Sequence, residues 1–238
     1  MATGAKEHRR LLNSRTRLAA LFVAAPMAIL VVTHPVVLAD ATTPPGQVIT
    51  VQATSPHSRS AVLRTWRLDA QGHYVQVHGP VVADVGVNGV GHTHEGLGRT
   101  PIGVFTLTSA FGSDPNDGGR LPYVRTGPDD WWDENPASAH YNRLIRSTVS
   151  PGGASENLYY AGYAYSHAVV INYNTDPVVK GAGSGFFLHV SLNEATEGCV
   201  SIPAADLRWV MRWLNPRLNP VISIGVGPAA LAAIATPT

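Results

Sequence analysis

The chain has a single cysteine, Cys199, and a histidine ten residues before it, His189. A thiolate is a nucleophile, and an imidazole titrates near neutrality and can take the proton that a thiol must lose. The residues around the pair favour contact. Phe186-Phe187-Leu188-His189-Val190-Ser191 reads as a strand with His189 toward its end, Leu192 to Glu197 as a turn-forming connection, and Gly198-Cys199-Val200-Ser201-Ile202-Pro203 as the return. Gly198 lacks a Cβ, so it suits a tight turn and lets a bound carbonyl approach the N–H groups near Cys199, where a developing oxyanion would be stabilised. The ring of His189 needs an orienting acceptor, and a backbone carbonyl serves as well as a carboxylate. Taken singly, Cys199 fits a small buried hydrophobe and His189 a satisfied core histidine. Their pairing points to nucleophilic catalysis.

Export would sharpen this reading, because an odd cysteine in an oxidising space is reactive, intermolecular or simply buried. Residues 1–17 are polar and basic, Leu18 to Val32 is apolar, and Ala39-Asp40-Ala41 offers the small residues of a signal peptidase site. The expectation is a signal peptide over residues 1–41, cut after Ala41 or after Ala39, and hence a secreted or extracellular protein. Retention of Leu18 to Ala39 as an uncleaved membrane anchor is the competing outcome, although Pro26 and Pro35 interrupt that segment as a spanning helix.

The elements that must position the pair belong to a folded chain: of 238 residues 45% are hydrophobic and 14% charged, which excludes disorder and a long charged helix. Of 17 basic and 16 acidic residues, five basic and two acidic ones lie in residues 1–41, leaving 12 against 14. With no basic stripe interleaved with aromatics, nucleic acid is not a general partner. Residues 42–77 read as a linker and first strands, 78–225 as the main domain, and 226–238 as a small-residue tail. Val48 to Ala53 reads as a strand or an extended arm, and strands are expected near Ala61 to Leu68, Tyr74 to Val87, Gly103 to Ser109, Ala168 to Tyr173, Gly185 to Ser191 and Pro220 to Gly225. Pro203 to Leu214 predicts the one clear helix, with Leu207, Val210, Met211 and Leu214 on one face and Asn215-Pro216 as the stop. The class is mainly β with a short packed helix.

Residues 110–157 have little periodicity and read as a long irregular excursion, the kind of segment that serves as a lid or binding loop. Trp131 and Trp132 either bind substrate there or pin the excursion to the body. Arg99 could clamp a carboxylate, or simply flank a turn. Glu197 could meet a cationic group or stabilise a charged His189, or be a solvated loop carboxylate. His92 and His94 could share one strand face beside Glu95, but no third ligand completes a zinc pattern, so neither a metal nor another cofactor is expected.

His189, the following loop and Thr196-Glu197-Gly198-Cys199-Val200-Ser201 resemble the catalytic region of the L,D-transpeptidases of bacterial cell walls, the YkuD-like family. Glu95-Gly96-Leu97-Gly98-Arg99-Thr100-Pro101-Ile102-Gly103-Val104-Phe105 and Ala110-Phe111-Gly112 resemble that family's entry to the catalytic domain; with Tyr165 to Asn174 the similarity covers approximately residues 78–225. The resemblance implies a β-rich catalytic domain in which Cys199 attacks the bond after the third residue of a peptidoglycan tetrapeptide stem, D-alanine leaves, and an acceptor amine resolves the acyl-enzyme. It also implies His189 as base, Gly198 and Cys199 as the oxyanion turn, Val190 as the carbonyl orienting His189, wall association, and a monomer. The chain departs from the Ser/Thr-His-Gly-Cys pattern of many members by having Glu197 before Gly198, and its His189–Cys199 separation is shorter than usual. An L,D-carboxypeptidase and a non-catalytic wall-binding module are the alternatives.

Overall fold

The computed structural model describes residues 44–234; the expected leader, residues 1–41, lies outside them. Among the described residues no helix is long and apolar enough to cross a membrane. The domain is mostly β, around a ten-stranded sheet. From one edge its strands are Gly103–Thr106, Val221–Val226, Gln47–Ala53, Ser60–Leu68, Tyr74–Asp84, Val200–Ile202, Phe187–Val190, Ala168–Val170, Ala110–Gly112 and Tyr123–Arg125.

Strands Gln47–Ala53 and Ser60–Leu68 belong to this sheet, the first running parallel to Val221–Val226, so the sheet crosses the boundary drawn at residue 78. The two halves of the sheet meet at one antiparallel pair, Ser201 with Asp84. Asp84 Oδ2 strengthens that junction by accepting from the hydroxyls of Ser191 at 2.5 Å and Ser201 at 3.2 Å.

Alternation along the two central strands separates two cores. Leu188, Val190, Val200 and Ile202 point to the face covered by the helix Ala204–Trp213, whose Leu207, Val210 and Met211 are buried with them. Phe187 and Cys199 point to the other face, into a second cluster with Phe111, Trp132, Leu158 and Tyr165. The helix begins after Pro203 and ends at Leu214, whose N–H still reaches the Val210 carbonyl; Asn215 Oδ1 then accepts from Arg217 N at 3.1 Å and opens a short 3-10 turn.

The irregular excursion is more ordered than its sequence suggests. It adds Ala110–Gly112 and Tyr123–Arg125 to the sheet edge, and folds Arg143–Arg146, Asp130–Asp133 and Glu156–Asn157 into a separate three-stranded sheet. Strands of two to four residues are too short to display a period of two. The tail also differs from expectation. Gly227–Ile234 forms a 3-10 helix, Ala230 is fully buried, and Gln52 Nε2 donates to the Gly227 carbonyl at 3.0 Å.

Candidate active site

His189 and Cys199 come together because their strands are adjacent and parallel. The register pairs Leu188 with Val200 and His189 with Ser201, which puts Cys199 beside Phe187 at the start of its strand. Side chains two residues apart share a face, so His189 and Cys199 open on the same side of the sheet. Both line one cavity of about 520 Å³, and each is only 8% exposed.

The Cys199 loop is pinned at several points. The Thr196 hydroxyl donates to the Cys199 carbonyl at 2.6 Å and accepts from Gly198 N at 3.1 Å. Thr100 donates to the same carbonyl at 3.2 Å, and Thr196 pairs through its backbone with Val85 and Val87. Gly198 has φ of 139°, and a Cβ there would lie 2.7 Å from Phe186 Cε1 and 3.1 Å from the Arg99 carbonyl. Only glycine fits this turn without displacement.

The sulfur accepts from Phe187 N at 3.3 Å and donates to the Gly185 carbonyl at 3.3 Å. His189 Nδ1 lies 2.9 Å from the Val190 carbonyl, a contact that requires the proton on Nδ1 and leaves Nε2 as the basic nitrogen toward the cavity. Tyr165 packs edge-on against His189, with ring centroids 5.3 Å apart, and donates its hydroxyl to Glu156 Oε2 at 2.7 Å.

Burial drives both members of the pair to their neutral forms. It pushes the Cys199 thiol well up, Glu156 adds to the rise, and the hydrogen bond from Phe187 opposes it. Burial likewise lowers His189, against the Val190 carbonyl and Asp84, which raise it. Burial thus favours a neutral imidazole and a neutral thiol over a resting thiolate–imidazolium pair, and the thiol's hydrogen bond is directed to the Gly185 carbonyl.

The other predicted site residues divide. Glu197 is exposed and lines the cavity. Arg99 is not brought to it: its side chain turns back to donate from Nε to the Asn88 carbonyl at 3.0 Å. Trp131 and Trp132 act as struts instead of cavity walls. Trp131 Nε1 donates to Ser147 O at 3.0 Å, while Trp132 Nε1 donates to Asn142 Oδ1 at 2.9 Å and its ring meets Phe187 edge-on, centroids 5.0 Å apart. His94 Nδ1 pairs with the Glu95 carbonyl at 2.9 Å, and Glu95 accepts from the hydroxyls of Tyr141 and Ser184, so the His-Thr-His segment is part of a protein hydrogen-bond network. Among the described residues no group of three or more His, Cys, Asp or Glu side chains is arranged to hold a metal.

Two cavity residues carried no signal in the sequence. Glu134 lies midway along the excursion and Glu156 at its end, and the pairing of Glu156–Asn157 with Asp130–Asp133 brings them together in the cavity of the thiol. Burial pushes Glu134 up to about 9, with Glu156, Glu95 and Asp133 adding to the rise. Glu156 is raised as well, first by burial and against the Tyr165 hydrogen bond.

The β-rich domain sets a histidine and a glycine-preceded cysteine on adjacent parallel strands that open into one cavity, residue types that nucleophilic catalysis uses. Residues 68–222 match the YkuD family, L,D-transpeptidase catalytic domain, and the chain belongs to that family. A search of curated proteins finds no match to it. Membership supports L,D-transpeptidase-type activity on peptidoglycan stem peptides.

Proposed function

We propose that the protein is an exported cysteine acyltransferase that cross-links peptidoglycan stem peptides through a thioester at Cys199. The observation that carries this reading is the placement of Cys199 and His189 on one sheet face, in one cavity, within a YkuD domain. His189 Nε2 takes the thiol proton as sulfur attacks the carbonyl carbon of the third residue of a donor tetrapeptide. The oxyanion so formed faces the main-chain N–H groups of Gly198 and Cys199; the Gly198 donor is engaged by Thr196 and must exchange partners. The imidazolium returns its proton to the departing nitrogen, the C–N bond breaks, and D-alanine leaves a thioester. An acceptor amine then attacks that thioester, its proton passes through His189 to the sulfur, and a new amide and a free thiol result. Val190 keeps the proton on Nδ1 throughout.

The protein works outside the membrane in the cell wall as a monomer, released after Ala41 or held by Leu18 to Ala39, and needs no cofactor. Intact-mass measurement with a tetrapeptide stem tests the reading. The parent should gain the mass of the acyl group and release D-alanine, and Cys199→Ala should do neither. Turnover by Cys199→Ala would overturn the assignment. Addition of a stem amine distinguishes the transferase, which yields cross-linked dimer, from a carboxypeptidase, which yields only tripeptide.

A further inference from the structure

Three tyrosines face solvent beside the catalytic cavity. Tyr159, Tyr160 and Tyr163 are 40%, 71% and 61% exposed, and none of them belongs to either core cluster, so packing does not account for their rings. The segment that carries them has an inner side as well. Its Ala161, Ala164 and Tyr165 line the cavity that holds Cys199 and His189. The backbone fixes the segment at both ends. Asn157 Oδ1 accepts from Tyr159 N and Tyr160 N, both at 3.1 Å, the Asn157 carbonyl accepts from Ala161 N at 3.2 Å, and Asn157 Nδ2 donates to the Pro128 carbonyl at 2.7 Å. Ser166 N donates to the Tyr163 carbonyl at 3.1 Å. Tyr159 and Tyr160 meet edge-on, with ring centroids 5.3 Å apart. The buried Tyr165 donates its hydroxyl to Glu156, whereas none of the three exposed hydroxyls meets a partner among the described residues.

Aromatic rings that are clustered, held in place and exposed mark an interaction surface, and tyrosine supplies rigid amphipathic contact area at low entropic cost. What these rings meet follows from their place at the cavity wall. A stem peptide is a branch of a glycan strand, and the bond attacked by Cys199 follows the third residue of the stem. Three extended residues span at most about 11 Å, so the saccharide lies at the edge of the cavity while that bond is at the sulfur. A pyranose presents a flat C–H face ringed by hydroxyls, which suits an aromatic face with a phenolic hydroxyl at its rim. Building on the proposed acyl transfer, we infer that Tyr159, Tyr160 and Tyr163 form a saccharide-binding rim that stacks on the N-acetylated sugars of the donor's glycan strand. The exposed Leu192 adds an apolar side chain to the wall of the same cavity. The rim holds the polymer that carries the stem, and the thiol and imidazole act on the peptide.

Two measurements test the rim, one of them without turnover. A β-1,4-linked tetramer of N-acetylglucosamine, which carries no peptide, should bind Cys199→Ala in a saturation-transfer NMR titration. Adding Tyr160→Ala or Tyr163→Ala should weaken that binding by at least about threefold each, and Tyr160→Phe or Tyr163→Phe, which keep the ring, should retain it. In the parent, D-alanine release from a disaccharide-linked tetrapeptide should exceed that from the free tetrapeptide by at least about tenfold in kcat/KM. The gain should come through KM, because the sugar is held alike before and during the reaction. The alanine variants should lose most of this advantage and process the free tetrapeptide as the parent does, which also shows that they fold. Equal handling of the two donors by the parent, or undiminished tetramer binding in both alanine variants, overturns the inference. Loss of free-tetrapeptide turnover in those variants also overturns it, by assigning the rings to the peptide. Tyrosine-dependent tetramer binding without turnover of either donor would sink the catalytic reading alone.

Discussion

Replacing Gly198 by alanine tests whether the turn before the cysteine is built for the reaction. Two costs can be read from its surroundings. Its φ of 139° is outside the range that L side chains readily adopt, a strain of about 1–3 kcal/mol. The new methyl would lie 2.7 Å from the Phe186 ring, and that ring is itself braced edge-on by Tyr173 at a centroid distance of 5.1 Å. Relieving such a contact by shifting packed neighbours costs roughly another 1–3 kcal/mol. The variant should therefore lose about 2–6 kcal/mol, which at about 2–4 °C per kcal/mol for a domain of this size lowers the melting temperature by at least about 4 °C. The shift is transmitted to Cys199, the next residue, and a displacement of about 1 Å at a reacting atom is worth roughly 100-fold in rate. Differential scanning calorimetry and single-turnover acyl-enzyme formation read the two effects on one sample. Unchanged stability would refute the steric reasoning. Reduced stability with an unchanged acylation rate would refute the claim that this turn aims the nucleophile.

Glu134→Gln should change the pH dependence of stability. The parent carboxyl titrates at about 9 when folded, against an ordinary 4.5, so between those values the folded state holds a proton that the unfolded state has lost. Stability must then fall as pH rises through that window, by up to about 1.4 kcal/mol per pH unit, and glutamine removes that slope. Urea unfolding at about pH 5 and about pH 8 should show the variant gaining on the parent at the higher value; parallel behaviour of the two proteins would contradict the assigned burial. Trp132→Ala should cost about 3–5 kcal/mol, because it deletes a 6%-exposed indole that supports Phe187. Guanidinium midpoints would check this, and a loss below about 1 kcal/mol would return Trp132 to the candidates for substrate contact.

The site was legible in the sequence where local chemistry and short-range order set it. Alternation from Phe186 to Ser191 placed His189 on a strand, and Gly198 required a turn at which the next residue is presented. The helix was readable because Leu207, Val210 and Met211 recur at helical spacing and Pro203 and Asn215-Pro216 bound it. What could not be read was set by pairing between distant segments. The single Ser201–Asp84 link, the parallel register of the two site strands and the incorporation of Gln47–Ala53 into the sheet have no local signature. Arg99 and the two tryptophans show the same limit: residue type named a plausible binding group, but Asn88, Ser147 and Asn142 supplied their partners. Glu134 and Glu156 were invisible because nothing in their own neighbourhoods distinguishes a cavity wall from a solvated loop until Glu156 pairs with Trp132.

The dependence of Cys199 reactivity on His189 tests the central claim most directly. Alkylation by a neutral haloacetamide, followed against pH in the parent and in His189→Ala, isolates the thiol–imidazole partnership because no other thiol is present. Burial lowers the His189 pKa, so the parent rate should rise as the ring loses its proton below the ordinary imidazole value. Near neutrality it should exceed that of His189→Ala by at least about 100-fold, the usual worth of a positioned general base. Superimposable profiles for the two proteins would contradict the account.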